Sequence, residues 1–95
     1  MRNYLTATAY RQAMSEQGRV IEAARRGIDR GERPVFHVVT SWDGSAIDVR
    51  ILELPLVHVF VPDESRVLDG ARELIARTLS VDAASFAVQS APERT

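Results

Sequence analysis

Three stretches with the two-residue alternation of β-strands lie between Val35 and Val61, separated by almost nothing, and no other feature constrains the fold as much. Val35 to Trp42 is rich in β-branched and aromatic residues. Phe36, Val38, Thr40 and Trp42 share one side, and Val35, His37, Val39 and Ser41 the other. Asp43-Gly44-Ser45 reads as a hairpin turn. Ala46 to Glu53 alternates next, with Ile47, Val49 and Ile51 inward and Asp48 and Arg50 outward, and Leu54-Pro55 breaks it. Val57 to Val61 is the third strand. Val57, Val59 and Val61 lie on one face, His58 and Phe60 on the other, and Pro62 stops it. Connections this tight make an antiparallel meander.

A helix follows. Asp63 or Ser65 caps it, and Asp63, Glu64 and Asp69 place negative charge near its positive N-terminus. Val67, Leu68, Ala71, Leu74, Ile75, Thr78 and Leu79 form a wide apolar stripe. Ser80 to Ser85 connects to a short fourth strand, Ser85 to Gln89, with Phe86 and Val88 inward. Strand four then runs parallel to strand one, and a right-handed crossover sets it beside that strand, giving the order 3-2-1-4. Ahead of the strands, Tyr10, Met14, Gln17, Ile21, Ala24 and Ile28 recur at steps of four and three, the spacing of one helix face. Thr6 or Thr8 could cap that helix, and Gly31 and Pro34 end it. Ser15 and Gly18 weaken its middle, but one helix is the favoured reading over two. The fold expected is α+β: a basic N-terminal helix in residues 1–33, a βββαβ domain in 34–90, and a loose tail in 91–95.

Composition removes whole classes of function. A chain of 95 residues is one small domain. It has no cysteine, so disulfides and thiolate metal sites are excluded, and two histidines cannot close a structural zinc site alone. No apolar run is long enough to span a membrane, and no apolar signal core follows the N-terminus, so a cytoplasmic protein is expected. All twelve basic residues are arginine, better explained by GC-rich codons than by selection for phosphate contacts. The charge is uneven. Residues 1–33 hold seven arginines against four acids, a net +3, and residues 34–95 hold five against nine, a net −4. Such a split suggests two functional surfaces, although a solvated helix face explains the basic part as well.

Candidate chemistry is sparse. His37 and His58 stand mid-strand, where a histidine is usually half-exposed or hydrogen-bonded. Asp43, Asp48 and Glu53 are carboxylates that could serve acid–base or metal work, but a turn, a solvent face and a strand end account for them. Trp42 could stack on a base or pack on the sheet edge. With no Gly-rich phosphate loop, nucleophile elbow or metal-binding His pattern, no catalytic, cofactor or metal residues are expected, and the chain reads as a non-enzyme. Two surfaces remain. Arg11, Arg19, Arg25, Arg26 and Arg30 are candidate nucleic-acid contacts. Tyr10, Met14, Ile21, Ala24 and Ile28 are candidate oligomer contacts. An isolated helix of this length is marginal in water, so it must cover the second sheet face or pack on another subunit, and the subunit contact is favoured because so small a two-layer domain has little core to spare.

The run Trp42-Asp43-Gly44-Ser45-Ala46-Ile47-Asp48-Val49 resembles the first hairpin of the HicB-like antitoxin family. Glu53-Leu54-Pro55 is similar to that family's Leu-Pro element between the second and third strands. Glu64 to Leu79, with Ala71-Arg72-Glu73-Leu74-Ile75, is similar to its helix, and Val81-Asp82-Ala83-Ala84-Ser85-Phe86-Ala87-Val88 resembles the lead into its last strand in high-GC bacterial members. The resemblance implies a truncated ribonuclease-H-like βββαβ fold without nuclease residues. It also implies binding and neutralising a small mRNA-cleaving toxin, usually as a homo-oligomer. Two other classes stay open: a nucleic-acid-binding regulator using the arginine-rich helix, and an orphan oligomeric scaffold.

Overall fold

A computed structural model describes residues 7–91. Helix α1 spans Ala7–Asp29 without a break at Ser15 or Gly18. Thr8 lies inside the helix, so it is not the residue before it, and Thr6 lies outside the described residues. The helix ends where Gly31 adopts φ +87°, a conformation that costs glycine nothing. The Glu32 N–H then donates to the Gly27 carbonyl at 2.8 Å, closing the terminal turn.

Strands β1 (Val35–Trp42), β2 (Ile47–Ile51) and β3 (Leu54–Val61) form the meander, and helix α2 (Val67–Leu79) leads to β4 (Ala87–Ser90). The sheet order is β3-β2-β1-β4, with β4 parallel to β1 and the other pairs antiparallel. This is the α+β layout and strand order that the sequence implies. The β1–β2 turn works as its residues suggest. The Asp43 carboxylate accepts the Ser45 and Ala46 N–H groups, both at 2.9 Å, and Gly44 takes φ +100°.

Several boundaries differ from expectation, β2 among them, which covers Ile47–Ile51 rather than Ala46 to Glu53. Leu54-Pro55 does not separate two strands but belongs to β3. Ile51 pairs with Leu54 and Arg50 with His58, so Pro55, Leu56 and Val57 face no partner on β2. The proline is tolerated because it sits in this bulge, where the ladder needs no donor. β4 starts two residues late because Asp82 accepts the Ala84 N–H and winds residues 83–85 into a short 3-10 turn. Likewise Asp63 accepts the Ser65 N–H, so a 3-10 turn over Glu64–Arg66 precedes α2. Of the expected tail, Ala91 still donates to the Val38 carbonyl at 2.9 Å, and residues 92–95 lie outside the described part.

The core lies on one side of the sheet. Phe36 and Val38 from β1, Val49 and Ile51 from β2, and Leu54 and Val61 from β3 meet Ala71, Leu74, Ile75 and Leu79 of α2, with Phe86 filling the end. Phe36 and Phe86 pack edge to face at 5.8 Å between ring centroids. Leu68, expected in the stripe, is 48% exposed, because it flanks the buried positions in the first turn of α2. Phe86 has no solvent exposure, so Phe86→Ala should cost about 3–5 kcal/mol. For a domain this size, that lowers the melting temperature by at least ~12 °C. Thermal denaturation followed by circular dichroism checks it, and a shift of a degree or two would contradict the packing.

Candidate functional surfaces

Helix α1 does not cover the second sheet face. It runs beside α2 on the core side and leans on β3. Ile21, Ala24 and Ile28 pack against the core of their own chain. Gln17, on the same stripe, accepts the Leu56 N–H at 2.8 Å and so satisfies a donor in the β3 bulge. Of the five candidate oligomer contacts, then, three are engaged within the chain. Tyr10 and Met14 continue the stripe past the body and are 48% and 50% exposed.

The five candidate nucleic-acid arginines separate in the same way. Arg25 donates to the Leu79 carbonyl at 2.6 Å, placing a cation at the C-terminus of α2, where the helix dipole favours it. Arg26 pairs with Glu22 at 3.7 Å, and Arg30 with Glu32 at 3.2 Å, all four side chains being well exposed. Arg19 reaches the Ser15 hydroxyl at 3.4 Å. Arg11 is exposed, with no ion pair among the described residues. Arg19 and Arg26, seven residues apart, share the side of α1 opposite the apolar stripe.

The outer sheet face carries the histidines. Strand alternation and register place Val35, His37, Val39 and Ser41 there from β1, Asp48 and Arg50 from β2, and His58 and Phe60 from β3. Asp48 points outward as expected, but it is not the solvated residue that this implies, being only 8% exposed. Its carboxylate accepts from His58 Nδ1 at 2.8 Å and Arg50 Nε at 2.9 Å, and Phe60 stands opposite it on β3. The hydrogen bond from His58, then the hydrogen bond and charge of Arg50, hold the Asp48 carboxyl below the usual carboxylate range. Glu53 has a different task. β2 stops at Ile51, and the Glu53 carboxylate takes over as ladder partner, accepting the His37 N–H at 2.9 Å and His37 Nδ1. Asp43, bound to the hairpin amides, is also held below the usual range. Each candidate carboxylate thus has a structural employment, and no group of three metal-ligating side chains occurs among the described residues.

Trp42 neither packs on the sheet edge nor enters the core. It is 63% exposed at the end of β1, where β4 has already stopped. Sequence reading missed this because it follows from the unequal lengths of two strands, eight residues against four. No family model, curated protein or solved structure matches the chain.

The Asp48 cluster predicts a pH effect of definite sign. Asp48 has a depressed folded-state pKa, so its contribution is full above the unfolded value of about 3.8 and is lost as pH falls through the folded value. The melting temperature of Asp48→Asn should therefore fall less steeply than that of the native chain between pH 5 and pH 2. Parallel curves for the two proteins would show that the cluster does not stabilise the fold.

Proposed function

We propose that the chain is an antitoxin-type binding protein of the HicB-like kind, neutralising a small mRNA-cleaving toxin by covering it. The observation that carries this reading is the layout itself: a βββαβ unit in the order 3-2-1-4, the arrangement implied by the resemblance of residues 35–90. Asp48 and Glu53, the carboxylates of the outer face, are occupied by histidines and an arginine, which suits a surface for contact better than one for metal-assisted cleavage. The net −4 of residues 34–95 would speed association with a basic, RNA-binding partner. Among the described residues no helix is long and apolar enough to cross a membrane.

The protein acts as a homo-oligomer in this reading, with Tyr10 and Met14 meeting a second copy, since they extend the stripe that α1 already buries. Met14→Glu should lower the mass found by light scattering and leave the melting temperature of the monomer body unchanged. An unaltered mass above that of one chain would move the interface elsewhere.

A second reading has its own observation: Arg19 and Arg26 line the exposed side of α1, which fits a nucleic-acid-binding regulator. Co-expression with the product of the adjacent gene separates the two. The antitoxin reading expects a stable complex and at least tenfold suppression of RNA cleavage. Retention on nucleic acid, with a steep loss on adding salt and no effect on cleavage, favours the regulator.

A further inference from the structure

We propose that the edge of β1 left open among the described residues is a docking strand for an extended peptide segment of a partner protein, one that alternates basic and apolar side chains. β1 is a central strand only along its first half. β4 pairs with Val35 to Val38 and then ends, while β1 runs on to Trp42. Val39, Thr40, Ser41 and Trp42 are all exposed. The direction of the open hydrogen-bonding groups follows from parity. The Pro34 and Val38 carbonyls accept from Ala87 and Ala91 on the β4 side, and the His37 carbonyl accepts from Leu52 on the β2 side. Backbone groups alternate along a strand, so the N–H and C=O of Thr40 and Trp42 point to the side that β4 leaves vacant.

Two observations mark this edge as different from the other two. Edges are ordinarily blunted, because an open ladder recruits other strands. On β3 a bulge with Pro55 interrupts the ladder, and Gln17 of α1 takes the Leu56 N–H. β4 is only four residues long. The β1 edge has no proline, bulge or lysine, and it offers Thr40 and Trp42, both good strand formers. The edge is also bordered by a groove of about 1100 Å³ between β1 and the start of α2, reaching Thr40, Ile47, Val67 and Leu68. Leu68 and Trp42, 48% and 63% exposed, are apolar surfaces that an added strand would cover.

Charge selects the partner. Glu64 lines the groove, and Asp63 and Glu64 stand with Trp42 around an adjoining hollow of about 520 Å³. An added strand sends only alternate side chains toward α2: cations there would meet Glu64, their aliphatic stems lying over Leu68, while the apolar residues between them fall on the outer face beside Val39. Arginine there would also stack on Trp42. This inference rests on reading the chain as a binding protein and names the strand that does the binding.

Trp42 is the sole tryptophan, so its fluorescence reports on this edge alone. The full chain is titrated with the acetylated, amidated peptide Arg-Val-Arg-Val-Arg-Val, and with the glutamate analogue as control. The expected result is a blue shift saturating with the arginine peptide, at least tenfold weaker with the glutamate peptide, together with slowed amide exchange at Thr40 and Trp42. Thr40→Pro removes one open-edge donor and no bond to β2, and it should weaken binding at least tenfold. Leu68→Ser should weaken it severalfold while keeping the Trp42 signal. No shift with either peptide, or an affinity that both variants preserve, overturns the proposal. Amides of Thr40 and Trp42 already protected in the free protein also overturn it, since the edge is then filled, by a second copy if the mass is doubled and by the chain's own terminus if it is not. Toxin neutralisation provides the remaining distinction. Neutralisation undiminished in Thr40→Pro defeats the docking strand and leaves the antitoxin reading standing. Peptide binding without neutralisation does the reverse.

Discussion

Ala71, Ile75 and Leu79 of α2 press on Val49, Ile51 and Leu54 of the sheet, all with essentially no solvent exposure, and this single apolar layer fixes where everything else can go. A domain this small has little apolar surface to distribute. α1 reaches the layer with Ile21, Ala24 and Ile28 from the flank, so its first half runs beyond the body. Among the described residues no helix covers the outer sheet face, which is furnished with hydrogen-bonded ion pairs instead. His58 and Arg50 converge on Asp48, and Glu53 completes the backbone pairing of His37. An uncovered sheet face that is polar and internally bonded stays in water without inviting collapse.

Aspartates set the chain's corners. Asp43, Asp63 and Asp82 each accept a backbone N–H two residues ahead, turning the chain before β2, α2 and β4. Hydrogen bonds favour the ionised form, so Asp43, held by the Ser45 and Ala46 amides, and Asp63, held by the Ser65 hydroxyl and then its N–H, lie below the usual carboxylate range, as Asp48 does through its histidine and arginine. Acid therefore acts on turns and outer face together, and all three carboxylates lose their stabilising contribution as pH falls through their depressed values.

The strand order was legible because it depends on local signals. Alternation set the faces of Ile47, Val49 and Ile51, and the Asp-Gly turn set the direction of β2. What sequence reading misjudged depends on contacts between distant residues. Pro55 reads as a strand break because nothing nearby shows that Gln17, 39 positions away from Leu56, will satisfy the bulge. Asp48 reads as solvated because its cover comes from His58, ten positions on. From the sequence, α1 has two resting places to choose from, the second sheet face and another subunit. A third option, the flank beside α2, won because Arg25 can also cap the C-terminus of that helix.

The arginine helix also looks different once its partners are known. Exposed ion pairs such as Arg26 with Glu22 are worth about 0.2–1 kcal/mol, so a phosphate could displace them readily. Arg25 is another matter. Its bond to the Leu79 carbonyl is short and half-buried, and charged hydrogen bonds of that kind contribute about 1.5–3 kcal/mol. Giving it up would loosen the contact between α1 and α2, so Arg25 belongs to the fold rather than to a ligand. That leaves Arg11, Arg19, Arg26 and Arg30 as free or easily freed charges, interleaved with Glu16, Glu22 and Asp29 on the same helix. With Glu32 beside Arg30, four cations among four acids make a weak phosphate track compared with the six to ten contacts of a strong binder. The acidic body, by contrast, has in β1 an open ladder beside exposed apolar side chains, and backbone pairing does not depend on screening salt. Under the binding-protein reading proposed above, that balance suits a protein partner better than a nucleic acid.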